Sequence, residues 1–175
     1  MSKSPPHIAI FLRCRAFSQV RKVMRSRLII LGNGEQYTEL NTLIQELRLE
    51  KDVAMLGFQE NPYAYMSRAS VFVLSSAWEG FGNVIVEALA VGTPVVSTNC
   101  PNGPAEILAN GKYGSLVNVG DSQAMANAIL KVLSGNYPVI KSDWLNQFSY
   151  SEAVSQYLEI LHLNQYLPSH CVLNT

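Results

Sequence analysis

Two glutamates eight positions apart, with two glycines between them, are the residues best suited to chemistry. They are Glu79 and Glu87 in Glu79-Gly80-Phe81-Gly82-Asn83-Val84-Ile85-Val86-Glu87. Gly80 and Gly82 remove side chains, so the backbone can approach a ligand closely. A helix starting near Gly82–Asn83 would turn free N–H groups and the positive end of a dipole towards an anion such as phosphate. Glu87 would lie about one turn further along, with Asn83 four residues before it on the same face. Two carboxylate acceptors beside an anion nest suit sugar hydroxyls, a diphosphate and a ribose diol. On spacing alone a surface loop with a solvated Glu and a helix Glu facing water is the commoner reading, because glutamates eight positions apart are frequent.

These residues need a strand to end before them and a helix to begin among them. Val71–Ser75 supplies the first and Asn83–Val91, closed by Gly92, the second. Four other short apolar runs read as strands: Arg27–Leu31, Val53–Phe58, Pro94–Thr98 and, more weakly, Gly114–Val119. Helical patterns separate them. They cover Glu35–Leu49, Ala64–Ala69, Pro104–Ala109, Asp121–Leu133 with Asp121 as N-cap, and Ser151–Leu163. His7–Leu12 is compatible with a first strand. Strands alternating with helices predict an α/β fold: a Rossmann-like parallel sheet with helices on both faces. Ligands of such sheets bind at the carboxyl ends of the strands, where the Glu79 loop falls.

Composition sets outer bounds. The chain has 175 residues, 48% hydrophobic, with 13 basic and 13 acidic residues that cancel. The balance gives no electrostatic footprint for nucleic acid. Arg13, Arg15, Arg21, Lys22, Arg25 and Arg27 do cluster, as a solvated helix face or as a phosphate or membrane-surface site. No apolar stretch approaches the roughly 18 residues of a membrane span. Cys14, Cys100 and Cys171 and the three histidines are scattered, so no metal site is expected and reduced thiols in a cytoplasmic protein are the economical reading.

Two further turns carry competing readings. Gly32-Asn33-Gly34-Glu35 has Tyr37 where a dinucleotide fingerprint would place its third glycine, which argues against an NAD site. It is either a turn close to a ligand phosphate or a plain strand–helix connection. Cys100-Pro101-Asn102-Gly103-Pro104 either lines the same crevice as Glu79 or is purely structural. Cys100, with no histidine near it in sequence, reads as a packed side chain.

The full string from Ser75 to Val96, with Glu79-Gly80-Phe81-Gly82-Asn83, Glu87-Ala88-Leu89-Ala90 and Gly92-Thr93-Pro94-Val95-Val96, closely resembles the signature of glycosyltransferase family 4, the glycosyl transferases group 1. The resemblance runs from about Ala16 to His162 and includes Arg27–Glu35, Leu56–Ser76, Cys100–Leu108 and Phe148–Leu161. It implies the C-terminal, donor-binding half of a GT-B fold, with a Rossmann-like domain over 16–165, an atypical segment over 1–15 and a loose tail over 166–175. By that resemblance Glu79 orients the donor sugar in a retaining, metal-independent transfer of a hexosyl unit. Gly80, Phe81, Gly82 and Asn83 contact the sugar and phosphate. Gly34 lies near the phosphate, Glu87 binds the ribose, and the loop around Gly57 and Phe58 meets the base, largely through the backbone. The implied donor is a UDP-, GDP- or ADP-sugar used in glycan or glycolipid synthesis, with no cofactor. The implied partner is a separately encoded N-terminal domain that completes the cleft, and peripheral membrane contact fits the basic cluster. The alternative is a catalytically inactive nucleotide-sugar-binding module or truncated remnant. The family's Arg and Lys that hold the diphosphate have no clear counterpart here, with Arg13 and Arg15 as possible substitutes.

Overall fold

A computed structural model describes residues 7–161. It divides into two compact units, one running to Val139 and a second from Ile140.

The first unit alternates helices and strands: α1 (His7–Val23), β1 (Leu28–Leu31), α2 (Tyr37–Glu46), β2 (Val53–Gly57), α3 (Tyr63–Met66), β3 (Phe72–Leu74), α4 (Asn83–Ala90), β4 (Val95–Thr98), α5 (Pro104–Ile107), β5 (Ser115–Val117) and α6 (Ser122–Leu133). Every strand pair is parallel. The strands form two hydrogen-bonded groups, β1–β2 and β3–β4–β5. The expectation of a parallel α/β architecture is met, with the sheet in two pieces among the described residues.

The stretch 7–12 is helix and not strand. A six-residue apolar run cannot be told from a buried helical segment by its own periodicity. Its continuation decides the matter, because Leu12, Ala16 and Val20 recur every four residues and all three are buried. That stripe packs with Val96, Val117 and the α6 residues Met125, Ala126, Ile129 and Val132. A second stripe of α1, Cys14 and Phe17, packs with Ile30 of β1 and Leu40, Leu43 and Ile44 of α2. One helix therefore serves two cores.

Caps follow the sequence signals. Asp121 accepts a hydrogen bond from the Ala124 N–H at 2.8 Å and starts α6. Gly92, at φ +81°, ends α4 in a left-handed conformation that a side chain would disfavour. The second unit holds α7 (Ser142–Asn146) and α8 (Tyr150–Ile160). Ser149 caps α8 by accepting from the Glu152 N–H at 3.2 Å, two residues before the expected start at Ser151. Trp144 and Phe148 meet edge to face at 6.1 Å. The tail 166–175 lies outside the described residues.

Candidate functional site

The Glu79 loop leaves the carboxyl end of β3 and is fixed at several points. Ser75, directly after the strand, is buried. The Ser76 hydroxyl donates to Glu79 Oε1 at 2.5 Å, which presents the carboxylate as an oriented acceptor. Thr98, at the end of β4, donates from Oγ1 to the Ser76 carbonyl at 2.6 Å and ties the loop to the neighbouring strand. A Ser three residues before a Glu is the available sequence signal for the first of these bonds. Nothing in the sequence points to the second, since Thr98 and Ser76 are brought together only by the pairing of β3 with β4.

The loop then turns into α4 through Gly82, which is buried and sits at φ +90° as the N-cap. Its lack of a side chain matters twice. The left-handed conformation suits glycine, and a Cβ would already be in contact with Ile85 and Ile107. Gly82 offers no capping side chain; its carbonyl accepts from the Ile85 N–H at 2.8 Å, and no side chain caps the first turn of α4. Asn83 is exposed at the first position of the helix, and Glu87 is half-buried one turn on. Phe81 is half-buried and Gly80 exposed.

The Cys100–Pro104 turn buttresses this loop. A Cβ on Gly103 would lie 1.5 Å from the Phe81 carbonyl oxygen, so the two loops touch backbone to backbone. Gly103 itself is at φ +101°. Burial pushes the Cys100 thiol above its ordinary value, and the negative charge of Glu79 pushes it the same way, while a hydrogen bond with Thr98 opposes them. Cys100 is therefore a buried, protonated thiol beside Glu79, in keeping with a packed side chain.

A second group of strand ends gathers separately. The Gly32 N–H donates to the Gly57 carbonyl at 2.8 Å, and Asn33 Oδ1 accepts from the Phe58 N–H at 3.1 Å. This linkage gives Gly32-Asn33-Gly34-Glu35 a structural role, in which Asn33 locks the β2 exit. Because that amide is already bonded, the expected backbone contact at Phe58 has no free N–H to make it, and Phe58 offers a ligand its ring, 72% exposed. Gly34 is exposed with open space around it.

The two arginines considered for the diphosphate separate clearly. Arg15 is exposed. Arg13 is half-buried, donates from Nε to Ser75 Oγ at 3.3 Å, and has its ordinary pKa pulled down by burial. Among the described residues no group of three His, Cys, Asp or Glu side chains is placed to hold a metal, and no helix is long and apolar enough to cross a membrane.

The unit is parallel α/β, with a Gly-rich loop entering a helix at a strand's carboxyl end, the place where ligands bind in open α/β sheets. The family profile of the glycosyl transferases group 1 matches residues 6–150, and the chain belongs to that family. It is 38% identical over 122 residues to a Campylobacter jejuni N-acetylgalactosaminyltransferase that acts on a diphospho-undecaprenol-linked substrate, covering 70% of this chain and 33% of that protein. Among solved structures it is similar to Anabaena HepE in complex with UDP and glucose, with a TM-score of 0.71 and 30% identity over 94% of this chain and 45% of that one. Staphylococcus aureus TarM, a structure containing UDP, gives a TM-score of 0.79 at 23% identity, covering 93% of this chain and 34% of that one. At that identity the likeness is one of fold. These neighbours are GT-B glycosyltransferases, and the chain spans between a third and a half of their length.

Proposed function

We propose that this chain is the donor-binding domain of a retaining glycosyltransferase that holds a nucleotide diphosphate sugar for hexosyl transfer in glycan or glycolipid synthesis. The observation that carries the reading is the Glu79 loop: a carboxylate oriented by Ser76, directly before an uncapped α4 N-terminus at the end of a strand. In this reading Glu79 accepts from donor-sugar hydroxyls, and the Gly82–Asn83 backbone faces the diphosphate. Catalysis rests mainly on dispersing the charge of the leaving diphosphate, because an oxocarbenium-like sugar develops as that bond breaks. Glu87 accepts from the ribose hydroxyls. The Phe58 ring, with Gly34 close to the phosphate side, meets the nucleobase. The relatives named for glycosyl transfer and the HepE structure with UDP and glucose support a nucleotide-sugar ligand.

The chain spans less than half of these relatives, and an acceptor-binding domain that completes the cleft is part of the proposal. The expected site of action is the cytoplasm, with peripheral membrane contact through the α1 basic residues. Calorimetric titration with UDP-glucose, UDP-N-acetylglucosamine, GDP-mannose and ADP-glucose tests the reading. We expect weak, saturable binding of one class without turnover by the isolated chain. Glu87→Ala should weaken that binding about tenfold, corresponding to about 1.4 kcal/mol. No binding of any donor, or titration unchanged in both Glu79→Gln and Glu87→Ala, would remove the assignment.

A further inference from the structure

A cavity of about 490 Å3 opens in the first unit, away from the Glu79 loop. Small-ligand sites commonly measure roughly 300–1,000 Å3. The polar lining comes from three places: Asn110 in the turn before β5, Asn127 and Lys131 on α6, and Asn136 after that helix. The turn before β5 stands at the amino end of that strand. The Glu79 loop leaves the carboxyl end of β3, which runs parallel to β5 through β4. The two places therefore lie at opposite ends of the sheet.

Local structure fixes this lining. Ala109, Asn110 and Gly111 are left-handed in succession, at φ +46°, +54° and +96°. Only glycine adopts that region freely, because a Cβ crowds the following carbonyl. The carbonyl of buried Leu108 holds the turn by accepting from the Gly111 and Tyr113 N–H groups at 3.0 and 3.1 Å. On α6, Asn127 and Lys131 are exposed one turn apart on the same face. Gln123, a turn earlier, donates to Asn127 Oδ1 at 3.1 Å, which leaves the Asn127 N–H groups for another acceptor. The Leu130, Lys131 and Val132 carbonyls accept from the Ser134, Asn136 and Gly135 N–H groups, which blunts the negative end of the helix dipole.

The strand edge adds backbone groups. The Val117 carbonyl accepts from the Asn99 N–H, so Val117 faces β4, and the alternate residue Leu116 turns its peptide groups outward along the cavity. Among the described residues no strand pairs with β5 on that side. The lining therefore offers three carboxamides, a peptide edge and one ammonium, and it contains no carboxylate. Lys131 has no ion-pair partner among the described residues. Carboxamides donate and accept, as neighbouring hydroxyls do, and an ammonium pairs with an anionic substituent. Small apolar patches from Leu116, Ala128 and Pro138 give little surface for a lipid or an aromatic ring.

We propose that this cavity is a second carbohydrate site, which takes a short stretch of an acidic oligosaccharide. Asn110, Asn127 and Asn136 meet its hydroxyls, and Lys131 meets its acidic substituent. Such a site holds a glycan chain at the end of the sheet remote from the Glu79 loop. It stands apart from the donor reading, and its test involves no nucleotide.

Nitrogen–proton correlation NMR of the full chain tests it directly. The probes are a hyaluronan tetrasaccharide as acidic glycan, maltotetraose as neutral glycan, tetraglutamate as acidic peptide and inorganic phosphate as charge alone. Saturable millimolar shifts of the Asn110, Gly111, Leu116 and Asn127 amides with the hyaluronan tetrasaccharide are the expected result, with maltotetraose binding about fivefold more weakly. No saturation by about 10 mM, or shifts confined to Gly80, Gly82 and Asn83, overturns the proposal. Equal shifts with phosphate or tetraglutamate would make the cavity a plain anion or peptide site and also overturn it. Equal binding of maltotetraose refutes the acidic contact. Asn127→Asp puts a carboxylate into the lining and should weaken binding of the acidic glycan about tenfold, and Lys131→Met about fivefold. Both side chains are exposed, so the spectra of the free variants should keep the wild-type dispersion. Unchanged binding in both variants overturns the site.

Discussion

The β3–β4–β5 half of the first unit and its β1–β2 half share one architecture and differ in how they are held. All four residues of β4 are buried, and the loops leaving β3 and β4 are joined by the Thr98–Ser76 hydrogen bond and by the backbone contact of Gly103 with Phe81. In β1 and β2 only Ile30 is buried, and Ala54 and Leu56 face solvent. A strand flanked on both sides loses its exposure on two edges and two faces, whereas an edge strand keeps one edge open. The Glu79 loop therefore grows from the better packed half. The Asn33–Phe58 pair grows from a half whose sheet ends at β1.

Four perturbations would break or sharpen that contrast. The largest effect is expected at Gly103→Ala. A Cβ there overlaps the Phe81 carbonyl and the backbone sits at φ +101°, so the loops must separate. We expect a loss of about 3 kcal/mol or more in chemical denaturation, in the range of severe overpacking combined with backbone strain. A loss below about 1 kcal/mol would mean the two loops are not in contact.

Next comes a paired measurement on the two halves. Ile107, fully buried beneath Gly82, should cost about 2–5 kcal/mol as Ile107→Ala. Ile29→Ala, at a residue half exposed, should cost about 1 kcal/mol or less. Equal losses would erase the contrast. Third, Thr98→Val keeps the shape but strands the Ser76 carbonyl, for about 1–3 kcal/mol. The same change should weaken donor binding if the Ser76–Glu79 geometry matters.

The fourth is a pH dependence from α1. Burial raises the Cys14 thiol from an ordinary 9.0 to about 11, with the Arg13 charge opposing. The folded state thus favours the neutral thiol. Its contribution is fully present below about pH 9 and is lost as pH rises through about 11. Denaturation at pH 8 and pH 11 should show the wild type losing more stability than Cys14→Ala; an identical loss in both would contradict the shift.

Much of this is legible in the chain. The strand-to-helix setting of Glu79, the Gly92 stop, the Asp121 cap and the family itself follow from local order, because turn chemistry and capping act over a few residues. The amino end is not. His7–Leu12 offers too short a run to separate strand from helix, and only the positions of Leu12, Ala16 and Val20 against α6 resolve it. The cap of α8 lies two residues earlier than expected for a related reason: Ser149 and Ser151 both suit an N-cap, and the bond from the Glu152 N–H selects Ser149.

The sequence by itself determined the family, the parallel α/β order of elements and the loop bearing Glu79, since each depends on residue types at fixed spacing. Tertiary structure decided the rest. It set Thr98 and Gly103 against that loop, bonded Asn33 to the Phe58 amide, and placed Arg13 beside Ser75. Those contacts join residues 22 or more positions apart in the chain, and pairing of the strands and packing of α1 are what bring such residues within reach.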